Sequence, residues 1–142
     1  MKGINLGRVV GGGLVAGLVI TIGEAILNMP VLGGEWDQAM GALGIVQGTG
    51  AIVFYIVGAF VIGIVGVCLY AAMRPRLGPG PATAVKVGLV IWLLGWAWPT
   101  LGLLFWNVFP AKLIWVSLVW GVVEVPVAMV AGAWLYREDT AA

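Results

Sequence analysis

The sequence predicts an all-α, polytopic membrane protein, a bundle of four transmembrane helices forming a single membrane domain over residues 1–142. Three observations carry this. Hydrophobic residues make up 62% of the chain and charged residues only 9%, against about a quarter charged in an ordinary soluble domain. The apolar residues gather into runs at 9–32, 52–73, 87–108 and 113–136, each long enough for a helix that needs roughly 20 residues to cross the hydrocarbon core. The runs also lack the alternating polarity of barrel strands, and lipid offers the backbone no hydrogen bonds, so helices are the structure that satisfies it.

The run at 9–32 reads as a retained span, because it is span-length, rich in glycine and without a small-x-small cleavage site before Glu24. The next connection carries Trp36, Met40 and Leu43 at helical spacing with Glu35, Asp37 and Gln38 between them, which predicts a short interfacial helix over 35–43, either a spacer at the head groups or a lid over a site. Spans 52–73 and 87–108 contain no charge. Between them, Arg74-Pro75-Arg76-Leu77-Gly78-Pro79-Gly80-Pro81 predicts a tight reversal, since proline fixes the backbone and glycine permits it to turn. Pro99 and Pro126 interrupt the third and fourth spans and free the carbonyls of Gly95 and Val122, giving either kinks or polar groups able to meet a cation.

Of the seven basic residues, Lys2, Arg8, Arg74, Arg76, Lys86 and Arg137 fall on one side of the predicted membrane and only Lys112 on the other, beside Glu35 and Asp37. The positive-inside rule then puts both termini in the cytoplasm. Glu35, Asp37, Glu138 and Asp139 read as solvated end charges. The two hairpins share short strings: Gly13-Leu14-Val15 matches Gly88-Leu89-Val90, and Gly66-Val67-Cys68-Leu69-Tyr70 matches Gly132-Ala133-Trp134-Leu135-Tyr136. These are either a parallel repeat about an axis along the membrane normal or chance agreement between apolar strings.

Several functions are disfavoured by composition. The chain has no histidine and one cysteine, Cys68, so a zinc or redox centre lacks ligands and no cofactor is expected. A net charge of +1 with basic residues at helix ends gives no basis for nucleic-acid binding. With no phosphate-binding loop or nucleophile triad, an enzyme is not expected either.

The informative pair is Glu24 and Glu124, each inside an apolar run that holds no basic residue. Carboxylates are costly in hydrocarbon and generally face a bundle interior or cavity. At about 100° per residue, Gly13, Gly17, Thr21, Glu24 and Asn28 form one stripe, while Ser117, Gly121, Glu124, Ala128, Ala131 and Gly132 form another. Small residues let helices approach closely. At 1.5 Å per residue, Glu24 lies roughly 24 Å from Arg8 and Glu124 roughly 20 Å from Arg137, levels compatible with contact. The pair is therefore a candidate proton or cation site, with Thr21, Asn28 and Ser117 as polar neighbours; the other reading makes each glutamate interhelical glue. Among the eight tryptophans, Trp36, Trp106, Trp115 and Trp134 fit an interfacial belt. Trp92, Trp96, Trp98 and Trp120 lie deeper, and Trp92, Trp96, Pro99, Trp120 and Pro126 either line a pocket for a cationic or flat apolar ligand or fill gaps beside glycine.

Gly7-Arg8, Gly23-Glu24 with Leu27-Asn28, Leu69-Tyr70-Ala71-Ala72 with Arg74-Pro75-Arg76, and Gly132-Ala133-Trp134-Leu135-Tyr136 give the whole chain its resemblance to a group of small four-span bacterial inner-membrane proteins with no assigned activity. The resemblance implies the four-span layout and a place in a bacterial inner membrane, and adds no mechanism. In size, span number and first-helix glutamate the layout is also similar to the small multidrug-resistance transporters, from which Glu124 and the long first outer connection depart. Two functions are expected to compete: a small proton- or cation-coupled carrier, acting as a homo-oligomer because four helices enclose little volume, and a non-catalytic accessory or scaffold subunit packed in a larger membrane complex.

Overall fold

A computed structural model describes residues 4–137; Lys2, Glu138 and Asp139 lie outside the described residues. Helix α1 spans Leu6–Ile26 and starts where Asn5 caps it, the Asn5 side-chain oxygen accepting the Arg8 amide at 3.0 Å, as orphan first-turn amides require. Its continuation, Leu27–Val31, is π-helical and contains Pro30. Proline has no amide to donate, and the wider turn restores pairing through the Leu32 amide on the Leu27 carbonyl at 2.8 Å. Helix α2 follows at Gly33–Ala42, in place of the segment predicted at 35–43.

Helix α3 runs from Thr49 to Leu77. It continues through Pro75, with Arg74 and Arg76 in its last turn, where cations complement the helix dipole. The reversal predicted over residues 74–81 is therefore shorter: Gly78 and Gly80 make it at φ 84° and 119°, values that favour glycine. Helix α4 begins at once with Pro81, at a first position that needs no amide, and ends at Ile91. A π-helical stretch, Trp92–Ala97, leads into α5, Trp98–Trp106, so Pro99 is accommodated by widened turns before it. Asn107 in the left-handed region at φ 50° ends α5. Helix α6 spans Ala111–Leu135 without a break; Pro126, expected to interrupt it, is instead a buried packing residue.

These elements make four membrane-spanning lengths, Leu6–Val31, Thr49–Leu77, Pro81–Trp106 and Ala111–Leu135. They exceed or shift the predicted runs because helix geometry continues past the last apolar residue into polar ends. No strand occurs among the described residues. Around the bundle the order is α1, α3, α4, α6, with α1 packed on α3 and α6, and α4 packed on α6.

The bundle is tightest at the end that holds Arg8, the α3–α4 turn and Arg137. There the helices touch through glycine: a Cβ on Gly63 would strike the backbone of Gly13 and Gly17, and one on Gly12 would lie 2.5 Å from the Gly132 carbonyl oxygen. On the other side of the bundle, a Cβ on Gly88 would lie 2.5 Å from Cα of Pro126. Ile20, Val67, Val87 and Met129 fill the remaining space. Tyr70 and Tyr136 meet edge-on at 6.1 Å, and the Tyr70 hydroxyl accepts the Gly80 amide at 3.0 Å, fastening the turn. At the opposite end, α2 packs through Trp36 on Leu27, Leu32 and Leu113, with Phe109 edge-on to Trp36 at 5.1 Å and Glu35 paired with Lys112.

Candidate functional site

Glu124 lies in the middle of α6 and is 8% exposed. Its carboxyl crosses the seam to α1 at Gly23, where any Cβ would collide with Oε1. The missing side chain at Gly23 is thus the physical condition for Glu124 to reach across. Glu24, one residue further along α1, stands close enough for its carboxyl to act electrostatically on that of Glu124. The structure places the two carboxyls side by side.

Their surroundings differ. Glu24 is half-buried, and its Oε2 accepts the Asn28 amide at 2.7 Å while Oε1 accepts the Trp96 indole N–H at 3.3 Å. Asn28 Nδ2 also donates to the Glu24 backbone carbonyl at 2.9 Å, the i, i+4 spacing bringing its amide to the acid one turn back. Glu124 has the Trp120 indole and Glu24 beside it. Neither completes a hydrogen bond of ordinary geometry, and both Glu124 oxygens and the Trp120 Nε1 are buried without a partner. A buried polar atom left unpaired costs about 1–3 kcal/mol, more if charged, so this arrangement needs a reason.

The remaining polar neighbours predicted from sequence do not join the pair. Thr21 donates back to the Gly17 carbonyl at 2.8 Å within its own helix, a common use of threonine in an apolar helix. Ser117 is half-buried and makes no hydrogen bond to either glutamate. The α1 stripe is also turned from its expected direction: Gly13 and Gly17 face Ile64 and Phe60 of α3, while Gly12 and Gly23 face α6.

The predicted tryptophan–proline pocket separates into several sites. Trp96 holds Glu24, and Trp92 donates to the Leu118 carbonyl at 3.2 Å beside the space left by Gly121. Pro99 is exposed, and Pro126 is buried against Gly88. Only Trp120 lines the main concavity, a groove of about 710 Å³ along the α1–α6 seam whose walls include Val19, Ile22, Trp115 and Val123 and whose edge is Glu124. A second groove of about 300 Å³, with Trp92, Leu101 and Trp115 on its walls, lies on the other flank of α6. Sequence reasoning missed Gly23 and the groove-wall valines Val119, Val123 and Val127. Their signal is the i, i+4, i+8 spacing next to Glu124, which reads as an ordinary lipid-facing stripe.

Chemically, the site is two carboxyls in an apolar seam, one held by donors and one that completes no ordinary hydrogen bond, with no basic residue in the apolar runs 9–32 and 113–136. Such a pair can hold a proton or a single cation between its members. Among the described residues there is no cluster of three or more His, Cys, Asp or Glu side chains suited to a metal ion. Comparison of the chain with protein-family models, with curated proteins and with solved structures finds no match in any of the three.

Proposed function

We propose that this chain is a small proton- or cation-coupled carrier of the bacterial inner membrane, with Glu24 and Glu124 as its exchange site and both termini in the cytoplasm. The observation that carries the reading is the buried, partnerless carboxyl of Glu124 set against the hydrogen-bonded carboxyl of Glu24. A structural glutamate finds donors; one that must take up and give up an ion at mid-membrane is kept free of permanent ones. Gathering of Arg8, Arg74, Arg76 and Arg137 at one end supports the orientation, and fusion reporters at both termini are expected to read cytoplasmic.

The carrier reading is supported by a second feature. The matched glycines Gly13 and Gly88 each pack on the partner helix of their own hairpin, and the matched tyrosines Tyr70 and Tyr136 face each other. A parallel repeat about an axis along the membrane normal would give such contacts, and a homo-oligomer would supply the volume for a path. The test is proton flux into liposomes under an imposed potential, followed with an entrapped pH dye. Wild-type protein is expected to conduct and the Glu24→Gln, Glu124→Gln double variant to be silent; equal flux removes the reading.

An accessory subunit of a larger membrane complex is the second reading. It is favoured by α5 and by residues 49–58 of α3, which bury no residue and leave Phe54 and Phe105 73% and 87% exposed. Gentle solubilisation followed by mass analysis separates the two, since a stoichiometric partner supports this reading and a pure homo-oligomer opposes it.

A further inference from the structure

The carboxyl pair sits in a seam whose two ends are closed by different means, and the role inferred for one of them rests on the carrier reading. At the glycine end, a Cβ on Gly12 would lie 2.5 Å from the Gly132 carbonyl oxygen, and one on Gly63 would strike the backbone of Gly17. Helix α1 cannot part from its neighbours there without losing backbone contact. At the other end the seam is covered by α2. Trp36 and Ala39 pack on the cluster of Leu27, Leu32 and Leu113, as do Val116 and Trp120 of α6. Leu27 and Trp120 each stand four residues, one helical turn, beyond Gly23 and Glu124, where the carboxyl crosses between the helices. The cover therefore ends one turn from the pair.

This cover is weakly held. Helix α2 buries none of its ten residues. Its Glu35 pairs with Lys112 at 42% and 66% exposure, and pairs so exposed contribute little. The Trp36 indole N–H is buried without an acceptor, which opposes the closed position, whereas tryptophan at the head groups finds water. Glycine stands at both ends of the helix: Gly33 and Gly34 open it, Gly41 lies in its last turn, and Gly44 and Gly48 follow. A Cβ on Gly34, Gly41 or Gly48 would meet nothing within 4 Å, so packing does not call for glycine there, and what glycine supplies is backbone freedom. A spacer fixed at the head groups needs no pairing with α6, and a permanent cap would bury residues and satisfy its indole.

We propose that α2 is a gate over the carboxyl pair: it swings on the glycines at its two ends, is latched shut by Glu35 on Lys112, and on release opens this end of the seam to water. Segments that move in this way are those with few buried apolar contacts, and the glycine-packed end keeps the bundle whole while α2 moves.

The test uses the full chain in lipid nanodiscs with Leu113→Cys in a Cys68→Ala background. Leu113 is 0% exposed beneath α2, so the new thiol reacts with a charged methanethiosulfonate only while the gate is open. Glu35→Gln and Lys112→Gln are each expected to speed the reaction about three- to fivefold, the gain from releasing an exposed pair. Exchange of the two charges, Glu35→Lys with Lys112→Glu, is expected to return it to the starting rate. A rate indifferent to the latch would overturn the proposal, and so would opposite changes in the two single variants, which local charge alone would give. If Leu113→Cys fails to fold, Leu32→Cys, 3% exposed in the same cluster, takes its place. Locking the gate supplies the second arm: a water-soluble carbodiimide joins the Glu35 carboxyl to the Lys112 amine as an amide, whereas Lys112→Arg keeps the pair and cannot be joined. Proton flux in liposomes is expected to be lost in treated wild type and to persist in treated Lys112→Arg. Flux that survives coupling, or falls equally in treated Lys112→Arg, would sink the gate and leave the carrier standing. Latch-dependent labelling with no flux from wild type would sink the carrier and leave the moving helix standing.

Discussion

The two ends of the bundle are built on opposite terms. At the end holding the α3–α4 turn, backbones meet through Gly12, Gly13, Gly63, Gly88 and Gly132, and the buried residues of α3 from Gly63 on and all those of α4 lie in this half. At the end covered by α2, residues 49–58 of α3 and all of α5 bury nothing, and both π-helical stretches occur there. Glu24 and Glu124 lie near the border between these two regimes. In lipid no hydrophobic force drives helices together, so close packing follows where small residues allow dispersion contacts to accumulate. The contrast teaches that glycine placement, not hydrophobicity, decides where backbone packs on backbone.

The contrast breaks most sharply at Gly63. Gly63→Leu drives a side chain into the backbones of Gly13 and Gly17 and is expected to cost about 3 kcal/mol or more, read as an earlier unfolding midpoint in a denaturing-detergent titration. A stability equal to wild type would show that the glycine seam does not hold this half together.

Glu124→Met tests the border in the opposite direction. Replacing a buried, unpaired carboxyl with an apolar side chain of similar volume is expected to raise stability by about 1–3 kcal/mol while abolishing proton flux. Lower stability would identify Glu124 as structural glue. In the open half, a Cβ added at Gly58 or Gly102 would meet nothing within 4 Å, and the alanine variants are expected to stay within about 1 kcal/mol of wild type. A large loss at Gly58 would mean that a neighbour covers this face. The smallest effect is expected at Lys112→Ala, because the pair with Glu35 is 66% and 42% exposed and such pairs contribute at most about 1 kcal/mol. A larger loss that resists added salt would show α2 to be a structural clamp.

Particular residues show how far the sequence can be read. Four spans and the interfacial segment follow from composition, because lipid penalises every unsatisfied backbone group and so ties apolar length to helix. The helix ends do not follow. Pro75 and Pro81 read as parts of one turn, yet Pro75 lies within the last turn of α3 and Pro81 opens α4, where a first-position amide has no helical partner to lose. Pro30 sits in an apolar run that reads as uninterrupted, although it lies in a π-helical turn. Pro126 reads as a break, yet its helix continues through it and its ring lies against Gly88.

What the sequence by itself determined is the number of spans, the candidate pair Glu24 and Glu124, and Asn28 as a polar neighbour four residues along the same helix, since helical periodicity fixes relations within one element. Tertiary structure alone decided which faces meet. It turned Gly13 and Gly17 to α3 and Gly12 and Gly23 to α6, gave Trp96 to Glu24 and left the Glu124 oxygens without a completed hydrogen bond. The physical reason is that a helix in lipid carries no polar face to announce its partner. Its rotation is set by which glycine finds a facing backbone, and that is a property of two helices at once.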